Sequence, residues 1–179
     1  FAEALKVQYT PTLLFLNEQG KTILRLNGYY PPGKFRKALQ YVAMKKEKEL
    51  TFNEFMLADH PKTTAKLIPE EFYQKSTDLK SLIGRENKPL AVYFESTKCS
   101  ECETLHEQIL TDPATRELAK SINSVQLDVY ADSGIITPDG RSMSQRDYAR
   151  ELDVAYTPSV VFYDNRGQVV HRIDGFLKT

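Results

Sequence analysis

The sequence predicts an α/β fold, and three observations carry that prediction. The run Leu90-Ala-Val-Tyr-Phe94, introduced by Pro89, is continuously apolar and bounded by turn signals, which is the pattern of a buried central strand. After a link of Glu95-Ser-Thr-Lys98, Cys99-Ser-Glu-Cys102 opens an amphipathic segment carrying Leu105, Ile109 and Leu110. A strand–turn–strand unit also occurs twice, 147 residues apart.

The duplicated unit begins at Leu5-Lys-Val-Gln-Tyr-Thr-Pro and again at Leu152-Asp-Val-Ala-Tyr-Thr-Pro. Phe15, Gly20, Arg25 and Gly28 recur as Phe162, Gly167, Arg172 and Gly175. Thr12 to Leu16 and Ser159 to Tyr163 read as first strands, apolar and partly β-branched. Asn17-Glu-Gln-Gly20 and Asp164-Asn-Arg-Gly167 read as hairpin loops, where glycine supplies a positive φ. Lys21 to Leu26 and Gln168 to Ile173 read as the returning strands.

After the first copy, Phe35, Leu39 and Val42 share one helical face, predicting an amphipathic helix over about Lys34 to Met44 that Lys45 to Leu50 extends. Thr51 to Leu57 predicts another short helix, and Ala58 to Pro69 a linker. Glu70 and Glu71 open an expected polar helix running toward Ile83 and stopping near Gly84. The resulting domain expectation is residues 1–46 as the C-terminal half of a first repeat, 47–69 as a helical linker, and 70–179 as a second repeat without its final helix. With Phe1 as the first residue and no leader before it, the chain reads as a tandem protein cut inside both repeats.

Composition narrows the function. Lys plus Arg and Asp plus Glu are each 24, so the formal net charge is zero, which argues against nonspecific nucleic-acid binding and a polybasic membrane anchor. No apolar run reaches the roughly 18 residues needed to span a bilayer. Two cysteines are too few for a disulfide-stapled scaffold. Tyr29-Tyr30 reads as strand-end packing, Asp128, Asp132 and Asp139 as solvated loop ends without a calcium-loop spacing, and Lys45-Lys-Glu-Lys-Glu as a mixed-charge helix face.

The chemistry therefore rests on Cys99 and Cys102. A strand, a short loop and Cys-x-x-Cys at a helix start is the redox reading of this spacing. Free amide N–H groups at the helix start stabilise a thiolate, and the thiolate is the species that attacks a disulfide. Lys98 favours a Cys99 thiolate and Glu101 opposes it. Two other readings share the motif. One is half of a zinc site, with His106 one turn beyond Cys102 and His60 and His171 elsewhere; structural zinc requires four ligands. The other is a purely structural cystine.

Residues 70–179 resemble a thioredoxin-fold domain, and residues 1–46 resemble the tail half of one. The resemblance implies a three-layer αβα sandwich with a central mixed sheet. It implies that Thr157-Pro158 is the cis-proline loop that packs against the cysteines and presents backbone to an extended substrate, with Thr10-Pro11 as its counterpart. A closer similarity is to bacterial periplasmic thioredoxin-related proteins of the sulfur-oxidation-associated type. It is carried by Phe94-Glu95, Asp112-Pro113 and the insert from Asp139-Gly140 to Leu152. Thioredoxin itself keeps a buried acid six residues before the first cysteine, where this chain has Tyr93. Glu95 is the candidate to relay protons instead, and it shares Tyr93's face if the strand continues that far.

The function that the resemblance implies is that of a thiol–disulfide oxidoreductase, in the reductase direction. Cys99 is the nucleophile and Cys102 the resolving thiol. Thr157 and Pro158 shape the substrate groove, and Lys98, Glu95 and Glu101 tune the thiolate or its proton transfer. No cofactor or metal is implied. The expected partners are protein thiols or disulfides and an upstream electron donor or acceptor, with no nucleic acid and no membrane span in this chain. The expected compartment is the periplasm, by resemblance. The alternative is a non-enzymatic binding or scaffold module, favoured by a Cys99 that titrates like a free thiol, at about 8.5. A further expectation is that the helix near residues 34–44, or a neighbouring chain, covers the sheet face of the second repeat, by exchange between protomers or as a homodimer.

Overall fold

A computed structural model describes residues 5, 7, 10–57, 66–97 and 99–175, the side chains of Asn53 and Leu57 excepted. The chain divides into two compact units, residues 1–61 with 175–179, and residues 62–174.

The smaller unit is built on a hairpin of β1 (Thr12–Leu16) and β2 (Thr22–Asn27). Asn17 closes its loop by accepting from the backbone N–H groups of Gln19 and Lys21 at 3.1 and 2.8 Å. Helix α1 (Pro32–Ala43) follows, with proline in its first turn, where the missing N–H has no helical partner to lose. Its buried residues are Ala38 and Tyr41, and Leu39 is exposed, so the face is rotated from the expected Phe35–Leu39–Val42 stripe. The cause is Tyr41: its ring meets Phe52 and Phe55 of α2 (Phe52–Leu57) at 5.2 and 5.5 Å, and its hydroxyl donates to the Leu50 carbonyl at 2.8 Å. Lys45 does not extend α1. It takes the left-handed conformation at φ 52°, and a 3-10 turn over Lys46–Lys48 reverses the chain toward α2.

The larger unit holds a four-stranded mixed sheet in the order β4–β3–β7–β8. Strand β3 (Leu90–Glu95) is central and wholly buried, parallel to β4 (Asn123–Asp128) and antiparallel to β7 (Ser159–Tyr163). Strand β8 (Val169–Asp174) completes the edge. Alternation sends Leu90, Val92 and Phe94 to one face, into a core with Leu79, Leu82, Tyr148, Ala149 and Val161. Ala91 and Tyr93 point to the other, with Val160, Leu105 and Tyr73.

Helices cover both faces. Helix α3 (Ser100–Thr104) runs into a π turn over Leu105–Ile109, and the latter's Leu105 packs on the Tyr93 face. Helix α4 (Pro113–Lys120) leads into β4, its N-terminus capped by Asp112, which accepts from the Thr115 N–H at 2.8 Å. A small hairpin, β5 (Gly134–Ile136) and β6 (Ser142–Ser144), precedes α5 (Gln145–Glu151), whose Tyr148 and Ala149 enter the Phe94 face. Strand β6 and helix α5 fall within the Asp139-to-Leu152 insert, and β5 precedes it.

The expected helix from Glu70 to Ile83 is absent. Tyr73 instead forms a parallel bridge with Ser124 beside β4, Asp78 bridges Ile136, and a 3-10 turn spans Lys80–Leu82. Local side chains compete for the backbone there: Ser76 accepts from the Asp78 N–H at 3.1 Å and Asp78 from the Ser81 N–H at 3.0 Å. An open sheet edge beside the segment then offers better backbone partners than a solvated helix.

The two hairpins are alike in detail. Thr12 pairs with Asn27 and Ser159 with Asp174, and each register shifts between the last two pairs. Arg25 donates to Asn27 at 3.1 Å and to the Leu5 carbonyl at 2.7 Å. Arg172 donates to Asp174 at 2.7 Å and to the Leu152 carbonyl. Thr10–Pro11 and Thr157–Pro158 are both cis.

Candidate active site

Strand pairing assembles the site. Because Phe94 pairs with Ser159, the residues leaving β3 stand beside the residues entering β7. Ser96 and Cys99 therefore meet Thr157 at one end of the sheet. Cys99 is extended and caps α3: its Sγ accepts from the Cys102 backbone N–H at 3.1 Å. Cys99 and Cys102 form a disulfide, with Cα atoms 5.1 Å apart. Both are buried, Cys102 at 2% and Cys99 at 6% exposure, so Cys99 is the one nearer the surface.

Thr157 touches Cys99 twice. Its hydroxyl donates to Cys99 Sγ at 3.4 Å, and its carbonyl oxygen lies 3.4 Å from the same sulfur. The Ser96 and Thr157 hydroxyls are 3.1 Å apart, which orients the Thr157 donor. Pro158 is buried behind it. Glu101 accepts from the Ser100 hydroxyl at 3.0 Å. Lys98 lies outside the described residues, as does His60.

Glu95 continues β3, so it shares the face of Tyr93, and it is 1% exposed. A buried carboxylate is costly unless its oxygens are hydrogen-bonded. Here Oε1 accepts from the Tyr73 hydroxyl at 3.1 Å, and Oε2 lies 2.8 Å from His106 Nε2. His106 stands in the π turn one turn beyond Cys102, and its Nδ1 is 2.9 Å from Glu70 Oε1. The second oxygen of Glu70 accepts from Arg116 Nη1 at 3.0 Å. Burial opposes a charge on the imidazole, but the hydrogen bonds it donates to Glu95 and Glu70, with their negative charge, prevail and hold its pKa above the ordinary histidine value. Burial, with the nearby Glu95 charge, pushes the Tyr93 phenol up to about 12 and the Tyr73 phenol higher still, so Tyr73 remains a donor to Glu95.

The sequence singles out Glu95 for proton transfer and offers His106 only as a zinc ligand. In the structure both ring nitrogens of His106 are engaged by carboxylates. Sequence reasoning misses Glu70, Tyr73 and Arg116, because it places Glu70 and Tyr73 on a solvated helix. The available signal is the spacing of Cys102 and His106, four residues apart on one helical face. His171 sits on β8 beside the Phe162 ring, at 5.9 Å between centroids.

Known protein structures include several to which this chain is similar. A thioredoxin-fold protein from Helicobacter pylori is 17% identical, with a TM-score of 0.51, over 59% of this chain and 68% of that one. The C-terminal domain of Neisseria meningitidis DsbD in its oxidised form is 20% identical, with a TM-score of 0.43, over 56% and 80%. Mitochondrial thioredoxin 3 from Saccharomyces cerevisiae is 22% identical, with a TM-score of 0.39, over 57% and 83%. No curated protein sequence matches. The thioredoxin-like domain model matches residues 1–43 and 77–179, and on that match the chain belongs to the thioredoxin-like domain family.

Proposed function

We propose that the chain is a thiol–disulfide oxidoreductase that exchanges disulfides with protein clients, working as a reductase. The observation that carries this reading is the Cys99–Cys102 disulfide set against the Thr157 hydroxyl and carbonyl at the end of the sheet. In the reduced protein Cys99 is the attacking thiolate, stabilised by the Cys102 N–H and the Thr157 hydroxyl, both of which already point at its sulfur. The attack breaks the client disulfide, forms a Cys99–client mixed disulfide and releases one client thiolate. Cys102 then attacks Cys99 Sγ, releases the second client thiolate and closes the internal disulfide. Two electrons pass to the client, and an upstream dithiol returns them. Thr157 and Pro158 line the groove in which the client backbone lies, and the charges of Lys98 and Glu101, which flank Cys99 in the sequence, bias its thiolate in opposite directions.

The test is Cys102→Ser. Without its resolving thiol the protein accumulates mixed disulfides with client proteins, visible as bands removed by reductant. A variant that traps nothing, together with a wild type that reduces neither insulin nor a cellular client, overturns the reading and leaves a binding module.

The same reading places residues 1–46 as half of a first thioredoxin-like repeat, 47–69 as a connector and 70–179 as the redox domain. The hydrogen bonds shared by the two hairpins support it. It places the protein in the periplasm, which cell fractionation tests. It includes exchange of the helix after the first hairpin between protomers: a dimeric mass in solution supports exchange, and a monomeric mass removes it. Among the described residues no helix is long and apolar enough to cross a membrane.

A further inference from the structure

The proposed cycle leaves one proton without an exit. Cys102 must lose its proton to attack Cys99, yet it is 2% exposed, and a bound client covers the Thr157 side of the pair. Three buried proton-exchanging side chains, Glu95, His106 and Glu70, are joined by hydrogen bonds, and two of them stand on the segments that flank the pair in the sequence. Glu95 immediately precedes the loop to the cysteines. His106 lies one turn beyond Cys102, where the α-helix gives way to the π turn. The imidazole spans two carboxylates, 2.8 Å from Glu95 at Nε2 and 2.9 Å from Glu70 at Nδ1. Glu70 reaches the surface through Arg116, whose side chain is 29% exposed and whose other nitrogen lies 3.5 Å from the exposed Glu71. The three segments that build the chain are β3, the π turn and the turn that opens at Glu70 just before the Tyr73 bridge to β4.

We propose that Glu95, His106 and Glu70 form a proton exit for Cys102, leading away from the client groove to solvent beside Arg116. The inference rests on the oxidoreductase reading. When Cys102 attacks the mixed disulfide, its proton passes to Glu95. The protonated imidazole keeps its Nε2 proton, which donates to Glu95, and gives up its Nδ1 proton, so positive charge leaves the cluster as Glu95 gains the proton of Cys102. Glu70 receives that proton and releases it to water. The client thiolates take up two protons from solvent at the groove. When an upstream dithiol reduces the pair again, Cys102 regains its proton by the reverse route, which also resets the imidazole.

The groups that set the proton affinity of His106 come from every element around it. Glu95 of β3 and Glu70 of the segment beside β4 meet its two ring nitrogens, Tyr73 packs on the ring with Tyr93 beside it, and Arg116 of α4 pairs with Glu70. The two carboxylates balance the guanidinium and a protonated imidazole, so the buried cluster is neutral overall while it holds its proton. Local unwinding of the helix into a π turn, a feature frequent at functional sites, is where His106 sits. His106 and Glu70 are positioning residues acting on the thiol through Glu95.

The experiment follows the reduced protein mixed with an aromatic disulfide whose released thiolate is coloured. The first colour phase reports attack by Cys99 and the second reports attack by Cys102. His106→Gln and Glu70→Gln are expected to change the first phase by less than about twofold and to slow the second by about tenfold or more. They are also expected to alter the pH profile of the second phase, so that it follows a simple thiol titration. Glu70→Gln keeps the test open should His106→Gln fail to fold. A folded variant whose second phase matches wild type in rate and pH profile overturns the exit. A wild type with neither phase overturns the oxidoreductase reading itself, and the exit with it.

Discussion

Thr157 shows how one residue serves the sulfur with two different atoms. Its carbonyl presents backbone at the groove, and its hydroxyl points a donor at Cys99. A hydrogen bond to a charged group is worth about 1.5–3 kcal/mol. Thr157→Val preserves shape and removes the hydroxyl, both the donor to Cys99 and the partner of Ser96, so the Cys99 thiolate becomes less populated near neutral pH. Alkylation of reduced Cys99 is expected to slow by about tenfold at neutral pH, read by iodoacetamide labelling. An unchanged rate means that the Cys102 N–H suffices. Glu95 is the second instructive residue. Its alternation with Tyr93 was legible, since a period of two needs only the strand to continue through it. Its partner was not, because His106 follows eleven positions later in a different element.

At the scale of elements, the strands and hairpins were the most legible, since apolar runs and glycine loops are local signals. Both first strands fall where the sequence predicts, and both returning strands begin one residue later. Helices were less so. Helix α1 is rotated because the Tyr41 ring finds Phe52 and Phe55, a contact that periodicity within α1 does not report. Tyr41→Ala removes a buried aromatic side chain and is expected to cost about 3–5 kcal/mol in the smaller unit, measured by denaturant unfolding. A cost below about 1 kcal/mol would show that the α1–α2 contact contributes little. Helix α5 depends on its cap: Ser144 Oγ accepts from the Asp147 N–H at 3.0 Å and donates to its carboxylate at 2.7 Å. Ser144→Ala is expected to cost about 1 kcal/mol, measured the same way on the larger unit.

For the molecule as a whole, the buried His106 cluster couples folding to pH. The folded state holds the imidazole pKa above its unfolded value, through the carboxylates that outweigh burial. The stability it contributes is therefore full below the unfolded pKa, about 6.5, and is lost as pH rises through the higher folded value. The difference in unfolding free energy between wild type and His106→Gln should shrink across that window as pH increases. A difference that is flat or grows with pH would show that the imidazole is neutral in the fold.

The sequence by itself determined the parts whose causes are local. The central strand, the Cys99–Cys102 helix start, the paired hairpins and the Thr157–Pro158 loop each carry their signal within a few residues. Their mutual placement at one sheet end followed from resemblance, and the register of Phe94 with Ser159 accounts for it. Only the tertiary structure decided what lies behind the cysteines. Glu70, Glu95, His106 and Arg116 come from four separate segments and share no spacing. The segment bearing Glu70 looks helical when it is taken alone. An open edge beside β4 drew it into extended pairing instead, and that choice buried Glu70 against His106.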